Sequence, residues 1–162
     1  VVCFAGARYR QTQRVNLVGG AGLILVDWMT SGRRESGERW AFNEYLSRTS
    51  IHLDGHLKVY DSLALRASDG KLATRLKPYD VLAVVVVIGQ LFQEHSERII
   101  AQVQAEEVKR PAARVVTVAP INGVGCVLRI AGRSVEEVDH ALRDFLHFVP
   151  QFLGDNPWAR KW

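Results

Sequence analysis

The run Val81 to Ile88 constrains the fold of this chain more than any other segment. Valine and isoleucine dominate it, and β-branched side chains pack well on a pleated sheet. It is too short to cross a bilayer as a helix. Bounded by Pro78 and Gly89, it marks a central strand over Tyr79 to Ile88. Two turn dipeptides then supply hairpins: Asp54-Gly55 joins strands at Trp40 to Leu53 and Leu57 to Arg66, and Asn122-Gly123 joins Arg114 to Ala119 and Val124 to Ala131. Both dipeptides favour the positive φ angles of a tight β-turn. After Gly19-Gly20-Ala21-Gly22, Leu23 to Val26 forms a further strand covered on both faces, with Asp27 at its end. Those glycines precede a strand and lack a following Lys-Ser/Thr and helix, so they do not form a phosphate loop. Helical spacing is confined to Leu91 to Val108, with Leu91, His95, Ile99 and Val103 on one side, and to a helix opened by a Ser134/Glu137 capping box and stopped by Pro150. Many strands, a helix, a hairpin and a helix imply a mainly β fold whose helices cap one end of the sheets, and argue against βαβ winding.

The 162 residues, 48% hydrophobic and 23% charged, fit one domain spanning 1–162. Val1-Val2-Cys3-Phe4 already has strand character, so the chain is expected to begin inside a domain whose earlier strands are missing. The net charge of +4 comes from 21 basic residues interspersed with 17 acidic ones, which gives no basic stripe and no nucleic-acid motif. No signal peptide or membrane span is apparent, and Cys3 and Cys126 lie far apart in strands, as buried thiols of a cytoplasmic protein do.

The histidines offer little chemistry. Pairing of Leu53 with His56 across the Asp54-Gly55 turn puts His52 and His56 on opposite faces of the ribbon, and His95 sits at an apolar border. His140, Asp144 and His147 have the helical spacing to grip a divalent metal, although a solvated face with an ordinary Asp–His pair explains them better. Cys126 shares the core parity of its strand and has no activating neighbour.

The distinctive cluster is Asp27-Trp28-Met29-Thr30-Ser31-Gly32-Arg33 followed by Gly37-Glu38-Arg39-Trp40-Ala41-Phe42. A polar group at the end of an apolar strand needs hydrogen-bond partners, so it either bolts a corner together or lines a passage. Asp27 and Glu38 could serve as the paired carboxylates of a glycosidase-type hydrolase. No nucleophile elbow, zinc helix or cofactor fingerprint supports an enzyme. An interaction module, with Trp28 and Trp40 as anchors and the acids paired to Arg33, Arg34 or Arg39, is the better account on chemistry alone.

The succession Val2-Cys3-Phe4-Ala5-Gly6-Ala7-Arg8-Tyr9, the Asp-Trp-x-Thr-x-Gly-Arg element with Gly-Glu-x-Trp following, the Val124 to Ala131 strand and the Pro157-Trp158 tail together resemble the UreD (UreH) family of urease accessory proteins. The resemblance runs from end to end and matches the C-terminal portion of such proteins. It implies a stacked, helical-type β architecture with two helices toward the C-terminal half. It also implies a non-enzymatic nickel-delivery scaffold that bridges urease apoprotein to UreF and, through UreF, to the GTPase UreG. No tightly bound cofactor is implied, only a nickel ion in transit. By the same resemblance Asp27 and Glu38 are the inward-facing acids of the passage, Thr30 and Ser31 its hydroxyl relays, and Arg33 holds the acids in place. Trp28, Gly32, Gly37, Trp40 and Phe42 support the motif, and Trp158 and Trp162 are candidate partner contacts.

Overall fold

Seven strands form two stacked sheets in the computed structural model, which describes residues 1–107 and 112–159. The three-stranded sheet has the order β1 (Arg8–Leu17), β3 (Glu44–Leu53), β4 (His56–Arg66), with β1 parallel to β3. The four-stranded antiparallel sheet has the order β2 (Leu23–Thr30), β5 (Val81–Ile88), β7 (Gly125–Gly132), β6 (Arg114–Pro120). Both hairpins form, and His52 faces Leu57 while Leu53 faces His56, as the turn requires.

Because β5 is central, both its faces are buried. Val81, Ala83, Val85 and Val87 meet the helices, whereas Val86 and Ile88 meet the three-stranded sheet. The helices are the short α1 (Leu72–Arg75), α2 (Gln93–Ala105), α3 (Val135–Phe145) and the short α4 (Val149–Leu153). Ile99 of α2 and Val138, Leu142 and Phe145 of α3 lie over the outer face of the four-stranded sheet. They cover a face instead of capping an end, since their apolar stripes match the parity of β5 and β7 that points away from the other sheet. Cys126 lies in this layer, fully buried, and burial pushes its thiol up to about 11. Among the described residues no helix is long and apolar enough to cross a membrane.

Several boundaries differ from the sequence expectation. Strand β1 was hidden because arginines, glutamines and asparagine fill both phases of its alternation; Tyr9, Gln11, Gln13, Val15 and Leu17 share the more buried phase. Strand β3 starts at Glu44 and not at Trp40, because Trp40 takes a left-handed φ of 53° that breaks the extended run. Asp27 is inside β2, which continues to Thr30 along β5. Phe92, not the exposed Leu91, anchors the approach to α2, and Val108 lies outside the described residues. Helix α3 ends at Phe145, and Pro150 opens α4, where its missing N–H costs nothing. Ser134 caps α3 as expected, its Oγ accepting from the Glu137 N–H, while Glu137 Oε2 reaches one residue further back than a capping box requires and accepts from the Arg133 N–H.

Candidate functional site

Alternation along β1, β3 and β4 brings a polar band to the middle of an otherwise apolar sheet face. The register aligns Gln11 with Ser47 and Leu63, and Gln13 with Thr49 and Asp61. On one side of this band lie Tyr9, Tyr45 and Leu65; on the other lie Val15, Ile51 and Val59. The facing sheet has a polar rung of its own, Asp27–Val84–Arg129–Thr117, one residue from each strand in register. The two sheets therefore enclose a polar layer between two apolar clusters.

Hydrogen bonds fix this layer. Gln11 Nε2 donates to Asp27 Oδ2 at 2.6 Å and to Ser47 Oγ at 3.3 Å, while Gln11 Oε1 accepts from the Tyr9 hydroxyl at 2.7 Å. Tyr9 stacks on Tyr45 with ring centroids 5.3 Å apart. Burial, reinforced by the Asp27 charge, pushes the Tyr45 phenol up to about 12. At the opposite edge Arg129 donates to Asp61 Oδ1. Between the two edges runs a crevice of about 30 Å³ lined by Asp27, Tyr45, Ser47, Thr49 and Asp61 with apolar walls from β2, β4 and β5. That space is on the order of one water molecule's share of liquid volume.

Glu38 occupies a different setting. Its carboxylate accepts from Arg33 Nε at 3.2 Å and from the Ala5 N–H at 3.2 Å, with Arg33 Nη2 2.5 Å away. Arg33 therefore pairs with Glu38, not with Asp27, whose partner is Gln11. The two acids do not converge as a hydrolase pair. The Arg33 hydrogen bond holds the Glu38 carboxyl below the usual carboxylate range. Its contribution to stability is then present above pH ~4.3 and is lost as pH falls through the lowered folded value. We expect Glu38→Gln to be less stable than the parent at pH 7, with the gap narrowing as pH falls below the usual carboxylate range and through the lowered folded value. Urea titrations from pH 7 down through the acid range test this, and a gap that does not narrow would refute it.

The rest of the motif builds the corner between β2 and β3. Ser31 is buried, its N–H donating to the Asp80 carbonyl and its own carbonyl accepting from the Trp40 N–H. Its hydroxyl is buried without a partner. Thr30 and Ser31 line an open cleft with Arg33, Arg34, Asp80 and Arg133. Gly32 has φ +126°, and a Cβ there would lie 3.0 Å from the Glu38 carbonyl oxygen. Gly37 closes the turn in the left-handed region. Trp40 Nε1 donates to the Tyr79 carbonyl, and Trp40 meets Phe42 edge-on at 6.0 Å. Asp80, also buried, binds Arg39 and Arg34. Trp28 turns the other way, against the helical layer.

The remaining candidates separate. His140 Nε2 is 3.5 Å from Asp144 Oδ2, but His147 Nδ1 contacts the Asp144 backbone carbonyl. No group of three His, Cys, Asp or Glu side chains among the described residues could hold a metal ion. His95 stacks on Phe148, centroids 4.0 Å apart. Trp158 rests on the helical layer beneath the Arg143 guanidinium, and Trp162 lies outside the described residues. Of the residues in the polar layer, sequence reasoning singled out Asp27 and passed over Gln11, Ser47, Thr49, Asp61 and Arg129; it also passed over Asp80 in the corner. The available signal was two polar residues, Ser47 and Thr49, in the core phase of β3 between Tyr45 and Ile51.

Comparison with known proteins agrees with the resemblance. The family model described as "UreD urease accessory protein" matches residues 1–162. A urease accessory protein UreD of Sorangium cellulosum is 42% identical over 162 residues, covering 100% of this chain and 51% of that protein. Its counterpart in Anaeromyxobacter is 38% identical, covering 99% and 54%. Urease accessory protein D of Arabidopsis thaliana is 31% identical, covering 98% and 63%. The chain spans about half the length of the two bacterial relatives.

Proposed function

The chain belongs to the UreD family of urease accessory proteins, and from that premise we propose that it serves urease maturation as a non-catalytic scaffold whose inter-sheet polar layer passes nickel toward the urease active site. The observation that carries this reading is the layer itself. Two carboxylates, Asp27 and Asp61, and two buried hydroxyl side chains, Ser47 and Thr49, line a narrow crevice between the sheets, and the Gln11 amide binds Asp27 at its edge. A dication entering protein must exchange its water for other oxygens, because uncompensated charge in an apolar interior is costly. Nickel is held firmly by imidazole and thiolate sites. Carboxylate, hydroxyl and amide oxygens, never many at one place, lower the barrier without creating a trap. A crevice of about 30 Å³ admits the ion only after most of its hydration shell is shed.

In this reading Asp27 is the principal acid of the passage. Thr30, Ser31 and Glu38 belong to the separate corner between β2 and β3, where Thr30 and the unpartnered Ser31 hydroxyl line an open cleft and would serve as relay oxygens of a second stretch of the route. The partners are urease apoprotein and UreF, with UreG reached through UreF, and the setting is the cytoplasm, which suits two buried free thiols. The deciding experiment is nickel loading of urease by an Asp27→Asn variant, whose normal performance would remove the reading.

The C-terminal segment is proposed to meet UreF. The exposed Phe152 and Leu153 of α4 lie beside Trp158 along an apolar groove. Deleting residues 156–162 is expected to weaken capture of UreF in a pull-down by about tenfold, the loss of an interface aromatic anchor. Undiminished capture would place the contact elsewhere.

A further inference from the structure

The polar layer has two unlike ends. At the β1–β2 edge Asp27 is met by the neutral amide of Gln11. At the β4–β7 edge Asp61 is met by the guanidinium of Arg129, 2.5 Å away. Asp61 also stands at a junction, because it lines both the narrow crevice and a groove of about 580 Å³ outside it. The groove exists because the four-stranded sheet is wider than its partner: β6 and β7 extend beyond β4, and Arg129, Thr117 and Ala131 form its floor. The carboxylate is the fixed member of the pair, with its side chain 13% exposed on an inward position of β4. The guanidinium is the movable member, 52% exposed at the end of a long side chain.

We propose that Arg129 is a latch on the groove-side mouth of the crevice, occupying Asp61 and keeping a dication out until the guanidinium swings into the groove. This rests on the reading that nickel crosses the layer and adds where its access is controlled. The physical reason is direct. While Arg129 sits on Asp61, the carboxylate is neutralised and an approaching nickel ion meets a positive charge at contact distance. Once Arg129 leaves, Asp61 becomes an anionic ligand at the entrance, with Ser47, Thr49 and Asp27 beyond it. The Gln11 end has no such cation, so the two mouths respond differently to charge.

The test uses nickel alone as probe, measured by equilibrium dialysis against the purified full-length protein. Arg129→Gln should bind nickel about tenfold more tightly than the parent, the size of effect expected when an adjacent unit charge is removed in a partly screened site. In the Arg129→Gln, Asp61→Asn double variant that gain should vanish. Arg129→Lys, which keeps the charge, should stay near the parent. The latch is overturned by unchanged affinity in Arg129→Gln, by a gain that survives loss of Asp61, or by an equal gain in Arg129→Lys. Should Arg129→Gln fail to fold, Arg129→Met, which also removes the charge, takes its place in the same comparison: a gain in nickel affinity that disappears with Asp61→Asn supports the latch, and unchanged affinity overturns it. Failure of the transit reading appears separately, as normal urease loading by Asp27→Asn, and leaves the dialysis result intact.

Discussion

Asp27→Asn is expected to lower nickel loading of urease at least tenfold while leaving the fold and its complexes in place. The substitution keeps shape: an asparagine oxygen can still accept from Gln11 Nε2, which now binds the carboxylate at 2.6 Å. What disappears is the charge. At about 4 Å and an effective dielectric of 20, one carboxylate stabilises a unit cation by about 4 kcal/mol, and solvent reorganisation returns part of that when the charge is removed. Even a third of it is a tenfold change in rate. Two controls separate transit from structure. Thermal stability should change by no more than about 1 kcal/mol, the worth of an ordinary hydrogen bond. The Tyr45 phenol, raised first by burial and further by the Asp27 charge, should titrate at lower pH in the variant, which ultraviolet spectroscopy reads directly. Normal loading alongside a shifted Tyr45 would show that the charge was removed and did not matter.

The largest effect on stability is expected at Phe42, which is 1% exposed. Its ring meets Trp40 edge-on and Tyr45 at a tilt, so it joins the corner to the Tyr9–Tyr45 stack at the border of the polar layer. Phe42→Ala should cost about 3–5 kcal/mol through lost transfer energy and the cavity left behind. For a domain of this size that lowers Tm by roughly 10 °C. Phe4→Ala is the comparison, because Phe4 is 56% exposed, touched by the Arg33 guanidinium, and outside the core. Its change should stay near 0.5 kcal/mol. A Phe42→Ala cost below about 1 kcal/mol would mean that the aromatic packing of this corner contributes little, and that the motif around it serves another purpose.

Local signals carried much of the architecture. The valine run, Asp54-Gly55, Asn122-Gly123 and the Ser134/Glu137 pair each act within a few residues, so β5, both hairpins and the start of α3 were legible before any tertiary contact was known. Strand β1 was not, since its arginines and glutamines give no apolar period. Asp27 stood out because it interrupts an apolar run, whereas Asp61 and Arg129 look like ordinary surface charges on hairpin strands. Glu38 was paired with Asp27 by nearness in the sequence, yet its hydrogen bonds are to Arg33 and Ala5.

From sequence alone followed a mainly β chain with two principal helices, a UreD resemblance and one acid of the polar layer, because hydrophobic period, turn chemistry and a dense motif are properties of neighbouring residues. Only the tertiary structure decided which polar side chains meet. Pairing β1 with β3 and stacking two sheets so that Asp27 and Arg129 oppose Gln11 and Asp61 depends on register between distant strands, and shifting one strand by a single residue would turn those side chains to the opposite face.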